Sequence, residues 1–107
     1  MLYELRVYDV VPGRLQALND RFTNLTLGLF KKHGIGVVMF WTDDVGISNR
    51  LSYIISFKDM GHREQAWGAF QRDPDWIRGR IESERDGPIV ARVTNTFLRP
   101  TSYSPMQ

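Results

Sequence analysis

The stretch Gly36-Val37-Val38-Met39-Phe40-Trp41-Thr42 decides how this chain is read. It is short, β-branched and aromatic, and it predicts a strand rather than a helix. Successive side chains of a strand point to opposite faces. Here both faces are apolar, so both are expected to be buried. Helices of the same chain can cover one face. The other needs a second surface, and a partner subunit is the economical source.

The segments around this strand follow in a regular order. Before it, residues 14–32 carry Leu15, Leu18, Phe22, Leu25 and Leu29 at helical spacing, with Lys31-Lys32-His33 opposing the helix dipole and Gly34 as the stop. Pro12-Gly13 separates this helix from a first strand, Leu2–Val10. After the central stretch, Asp43–Arg50 reads as a loop and Leu51–Phe57 as a third strand. Asp59 is placed to cap a second helix, with Ala66, Trp67 and Phe70 inward. Asp73-Pro74-Asp75-Trp76 restarts a further helix toward Arg85, with Ile77 and Ile81 one turn apart. Ile89–Leu98 is the fourth strand, and residues 99–107 form an irregular arm. Strand, helix, strand, strand, helix, strand is the ferredoxin-like order: an α+β domain with a four-stranded antiparallel sheet.

The 107 residues fit one domain, residues 1–107, with a thin core that a second copy would help to complete. With 42% hydrophobic and 24% charged residues, the chain is expected to fold rather than remain disordered. There is no cysteine, which excludes disulfides, thiolate metal sites and cysteine nucleophiles. Glu4 and Arg6 interrupt any signal-peptide core, and no apolar run approaches a bilayer span. The reading is therefore a cytoplasmic protein without a membrane partner.

Motifs of chemistry are sparse. His33 and His62 are far apart in sequence and read as a helix-end and a surface histidine, so no metal site is expected. Gly46-Ile47-Ser48-Asn49-Arg50 lacks the second glycine and the strand-to-helix context of a nucleophile elbow. Arg72, Arg78, Arg80 and Arg85 alternate with acids, which reads as an ion-paired surface rather than a nucleic-acid stripe. Trp41, Trp67 and Trp76 suit either packing or the wall of an apolar pocket.

The first strand carries the sharpest signal. Leu2, Glu4, Arg6 and Tyr8 share one face, and Tyr3, Leu5 and Val7 share the other. The apolar second face is expected to pack on the helices. The first would then be covered by a partner sheet, enclosing an acid, a base and a phenol together. Buried charges must be paired or must shift their pKa. The group is then either a structural Glu4–Arg6 pair or a pocket that orients a polar group and moves a proton.

Several stretches in this order resemble the NIPSNAP family. They are Tyr3-Glu4-Leu5-Arg6-Val7-Tyr8 with Pro12-Gly13, then Phe40-Trp41-Thr42 with Gly46 and Asn49. Arg63, Asp73-Pro74-Asp75-Trp76, Asn95, Leu98-Arg99-Pro100-Thr101 and Tyr103-Ser104-Pro105 follow. The resemblance spans nearly the whole chain. It implies a dimeric α/β barrel, in which two four-stranded sheets close around a cleft. Related barrels include monooxygenases, isomerases and haem enzymes acting on small, often aromatic compounds. One departure is clear. Many relatives resemble a His-x-Trp-x-Tyr run in the third strand, where this chain has Tyr53, Ile55 and Phe57. That implies a more apolar pocket without the imidazole.

The resulting expectation is a homodimer binding a small organic molecule, as a cofactor-independent monooxygenase or isomerase. Glu4 is the acid–base candidate, Arg6 orients an oxygen and Tyr8 donates a hydrogen bond. Trp41, Tyr53 and Asn95 complete the ligand-binding set, and no cofactor is expected. The alternative is a non-catalytic dimeric binding or assembly module with a packed barrel interior.

Overall fold

From Leu2 to Val10 the residues alternate strictly between buried and half-buried. That is the signature of a strand covered on one face. In the computed structural model, which describes residues 1–107, this is β1 (Leu2–Val10). There follow α1 (Leu15–Arg21), a π-helical segment (Phe22–Thr26) and α2 (Leu27–Lys32). Next come β2 (Gly36–Thr42), β3 (Arg50–Phe57), α3 (Met60–Arg72), α4 (Pro74–Ser83) and β4 (Val90–Leu98). The sheet is antiparallel in the order β2-β3-β1-β4. This is the expected ferredoxin-like α+β domain.

The orientation of the sheet differs from expectation. The helices cover the face of Leu2, Glu4, Arg6, Tyr8 and Val10, and Tyr3, Leu5 and Val7 lie half-buried on the open face. The polar face is therefore enclosed by the chain's own helices rather than by a partner sheet. Its charges can be buried because they satisfy one another, which the strand pattern alone does not reveal. β2, expected to be buried on both faces, is an edge strand here. Val37, Met39 and Trp41 are each about half exposed in the single chain.

The long helix also departs from a simple stripe. At Phe22–Thr26 it widens, and the Leu27 N–H donates to the Phe22 carbonyl, five residues back. Single π turns of this kind occur often at functional sites. The extra residue rotates the stripe. Thr26, Leu29 and Phe30 are buried, whereas Leu25 is half-buried against Gly79 of α4. A Cβ at Gly79 would lie 2.5 Å from Leu25 Cδ2, so glycine permits this close approach. The helix ends at Gly34 (φ +73°), where Ile35 N–H donates to the Phe30 carbonyl.

Buried aromatics dominate the core. Phe22, Phe30, Tyr53, Phe70 and Trp76 pack with Leu18, Ile55 and Ile89 between helices and sheet. Ile77 and Ile81, one turn apart on α4, are exposed. Trp76 is the buried anchor of α4 instead.

Asp59 and Asp73 cap α3 and α4 as expected, accepting from His62 N and Asp75 N. Asp73 also accepts from Lys32 Nζ at 2.8 Å and is 2.7 Å from His33 Nε2, tying the end of α2 to the α3–α4 junction. The Lys32 and His33 contacts and the Asp75 N–H hold the Asp73 carboxyl well below the usual carboxylate range. A depressed folded-state pKa contributes stability that is complete above the unfolded value, about 4, and is lost as pH falls through the folded one. Asp73→Asn should therefore be less stable than wild type at neutral pH, with the difference shrinking below about pH 4. Urea midpoints across that range check this; a difference independent of pH would refute it.

Candidate functional site

The sheet register assembles the site. Arg6 of β1 stands opposite Tyr53 of β3 and Asn95 of β4, so the three form one row on the helix-covered face. A slip of one residue would send the row to the other face. Glu4 lies one step along the same face and is fully buried. Its carboxylate accepts from Arg6 Nη1 (2.8 Å), Asn95 Nδ2 (3.0 Å), Arg63 Nε (3.1 Å) and Arg63 Nη2 (3.2 Å). Burial acts to raise the Glu4 pKa, but the hydrogen bonds from Arg63, Arg6 and Asn95 outweigh it and hold the group below its ordinary value. Glu4 is thus an ionised anchor shared by two guanidiniums. Both also lie over the Trp67 ring, with Arg6 Cζ at 4.4 Å and Arg63 Cζ at 5.3 Å from its centroid.

A second chain of hydrogen bonds leads away from Arg6. Its Nε donates to the Tyr53 hydroxyl at 2.8 Å, and the Tyr53 and Tyr8 hydroxyls are 2.6 Å apart. Proton bookkeeping sets the direction. Arg6 can only donate, so the Tyr53 oxygen accepts. Tyr53 is wholly enclosed, and its own proton must go to the Tyr8 oxygen, since an unmade buried hydrogen bond costs about 1–3 kcal/mol. Burial pushes the Tyr53 phenol well above its ordinary value, so it remains a neutral donor. The Tyr8 proton is left without an acceptor in the chain.

Arg6 and Tyr8 both line a cavity of about 180 Å³ between the sheet and the helices. Phe22 and Thr26 of the π-helical segment form one wall. Trp67 and Phe70 of α3, with Trp76, Arg80 and Glu84 at α4, form others. Arg6 Nη2 makes no hydrogen bond within the chain. Arg14 Nε is the sole enclosed side-chain nitrogen or oxygen without a partner, so Arg6 Nη2 keeps some access to solvent. A phenol-bearing and a guanidinium-bearing residue thus line one cavity with aromatic walls. No cluster of three or more histidine, aspartate or glutamate side chains is placed to hold a metal ion.

Of the residues singled out in the sequence, Glu4, Arg6, Tyr8, Tyr53 and Asn95 come together. Trp41 does not. It pairs with Ser52 on the open face, where it lines a groove with Met39, Ile54, Leu98 and residues of the arm. The Tyr3 hydroxyl donates there to the Gln107 carbonyl at 2.8 Å. Sequence reading missed Arg21, Thr26, Arg63 and Glu84. Arg21 had a signal, because it falls three residues after Leu18 on the inward stripe. Arg63 reaches Glu4 across 59 residues and had none beyond the resemblance. His33 and His62 lie away from the cavity, His33 on Asp73 and His62 accepting from Lys58 N. Arg78, Arg80 and Arg85 pair with Asp75, Glu84 and Glu82. No helix is long and apolar enough to cross a membrane.

Comparison with known proteins gives the following. The NIPSNAP family profile matches residues 3–105. No functionally curated protein matches the sequence. Among solved structures, a NIPSNAP family protein of unknown function from Agrobacterium tumefaciens is 22% identical. It covers 100% of this chain and 94% of its own, with a TM-score of 0.88. A NIPSNAP domain protein from Burkholderia xenovorans is 23% identical over 98% of this chain and 99% of its own, with a TM-score of 0.85. A candidate antibiotic biosynthesis monooxygenase from Nitrosomonas europaea is 8% identical over 94% and 98%, with a TM-score of 0.64. At these identities the structural likenesses establish the fold alone.

Proposed function

This chain belongs to the NIPSNAP family, of the dimeric α/β barrel superfamily, and on that premise we propose that it binds a small organic carbonyl compound in the cavity beneath its own helices. The observation that carries this reading is the pair of uncommitted donors, Tyr8 Oη and Arg6 Nη2, at the wall of an aromatic cavity. Preorganised donors aimed at an oxygen stabilise negative charge that develops on it. Enolisation and cofactor-independent oxygenation both build charge on such an oxygen. The monooxygenase from Nitrosomonas europaea shares this fold. Glu4, saturated and enclosed, holds the two guanidiniums in this reading and does not carry a proton.

The alternative, an assembly module with a solid interior, is less well supported because a cavity of about 180 Å³ stands beside Arg6 and Tyr8. A cavity near 150 Å³ suffices for a single benzene ring in a protein interior. Acetophenone, one ring with one carbonyl, is therefore a suitable probe. The reading expects saturable binding by calorimetry and its loss in Arg6→Ala. If acetophenone does not bind and Arg6→Ala only lowers stability, the packed-module reading takes its place.

We also infer that two copies pair through the open sheet face. Leu5, Val7, Met39, Trp41 and Ile54 form a partly exposed apolar surface there, larger in extent than scattered surface residues. Sedimentation should give twice the chain mass for wild type and the single-chain mass for Ile54→Arg. A wild-type monomer at micromolar concentration is the contrary result.

A further inference from the structure

Three guanidiniums, those of Arg6, Arg21 and Arg80, line the cavity. Glu4 is held by Arg6 and Arg63, and Glu84 by Arg21 (3.4 Å) and Arg80 (3.7 Å). Arg63 also pairs with Glu64 (3.2 Å), so the Glu4 group is balanced, whereas the Glu84 group keeps one positive charge that no carboxylate in it balances. Arg6 and Arg21 are both more than nine-tenths buried, and both line the cavity. They reach it from different elements, Arg6 from the central strand and Arg21 from the end of α1 where the π-helical segment begins.

Neither guanidinium is fully bonded. Arg6 leaves Nη2 free. Arg21 bonds only through Nη1, weakly, to Ser83 Oγ (3.3 Å) and Glu84, which leaves its Nε and Nη2 free. None of these nitrogens is sealed from solvent, since only Arg14 Nε is both enclosed and unpartnered. Burying an incompletely paired cation is costly. Burial lowers the Arg21 pKa, with the Glu84 carboxylate only partly opposing the effect. An anion entering the cavity would complete the pairing.

We propose that the cavity is built for a small planar acid with oxygen functions at both ends, a carbonyl or hydroxyl oxygen held by Arg6 and Tyr8 and a carboxylate held by Arg21. This rests on the reading of the cavity as a ligand site and names the class of molecule it takes. The volume admits one ring or a conjugated chain of similar size. Phe22, Trp67, Phe70 and Trp76 supply flat apolar walls for such a framework.

The test uses two probes that differ in one group. Acetophenone carries a ring and a carbonyl; 4-acetylbenzoate adds a carboxylate at the opposite end. Calorimetric titration of the full-length protein should show 4-acetylbenzoate binding at least about tenfold tighter, as expected for a charge-assisted contact. In R21Q the ratio of the two affinities should fall to near one, because the charge that recognises the carboxylate is gone. Equal affinity of wild type for both probes overturns the proposal, and so does a preference that survives in R21Q. The first outcome needs no variant, so a Gln variant that fails to fold does not shelter the claim. If acetophenone binds and the carboxylate adds nothing, only the acid-binding end is lost. If neither probe binds, the ligand-site reading falls with it.

Discussion

Glu4→Ala is expected to destabilise the fold by about 3–5 kcal/mol, the cost of removing one partner from a buried ion cluster. The carboxylate accepts four hydrogen bonds inside a closed core. Without it, the buried Arg6 loses its only carboxylate partner, Arg63 keeps only Glu64, and the Asn95 amide loses its acceptor. Small domains carry about 5–15 kcal/mol in total, so the loss is a large fraction. Glu4→Gln should cost less, since its one amide oxygen can still accept, but the charge compensation is gone. Urea unfolding followed by circular dichroism measures both. A loss below about 1 kcal/mol in the Ala variant, the range of surface ion pairs, would mean that the cluster is effectively solvated.

Tyr8→Phe should weaken ligand binding and lower stability, with the packing of the ring retained. The ring keeps its edge contact with Tyr53 at 5.3 Å and its contact with Phe22 at 6.2 Å, so packing changes little. Two hydrogen-bond functions disappear. Tyr53 loses the acceptor for its buried proton, and the cavity loses the donor at its wall. The first costs about 1–3 kcal/mol of stability. The second should weaken acetophenone binding by about 10- to 100-fold, the cost of one lost hydrogen bond to the ligand oxygen. Calorimetric titration reads the affinity. Tyr53→Phe is the companion variant. It breaks the relay one step back, so binding should weaken less than in Tyr8→Phe. Unchanged affinity in Tyr8→Phe would remove the phenol from the site.

Much of the architecture was legible because it rests on local rules. Asp59 and Asp73-Pro74 announced two helix starts, Gly34 announced a stop, and period-two alternation marked the strands. The π-helical segment was not legible, since Leu15, Leu18, Phe22, Leu25 and Leu29 fit an unbroken helix equally well. Its cause is tertiary: Leu25 seats against Gly79 while Thr26 and Phe30 turn inward. Ile77 and Ile81, one turn apart in sequence, are exposed for the same reason. Spacing gives a stripe, but the neighbouring helices decide which stripe is covered.

The sequence alone determined the strand and helix order, and it put Glu4, Arg6 and Tyr8 on one face, because side-chain direction in a strand depends only on position. Tertiary structure decided which face would be enclosed and what would enclose it. The more apolar face, with Tyr3, Leu5 and Val7, was left open. The charged face was buried because Tyr53, Arg63 and Asn95 arrive from 47, 59 and 91 residues away to satisfy it. Those long-range hydrogen bonds offset the desolvation of Glu4 and Arg6, and they hold Arg6 and Tyr8 together at the cavity wall.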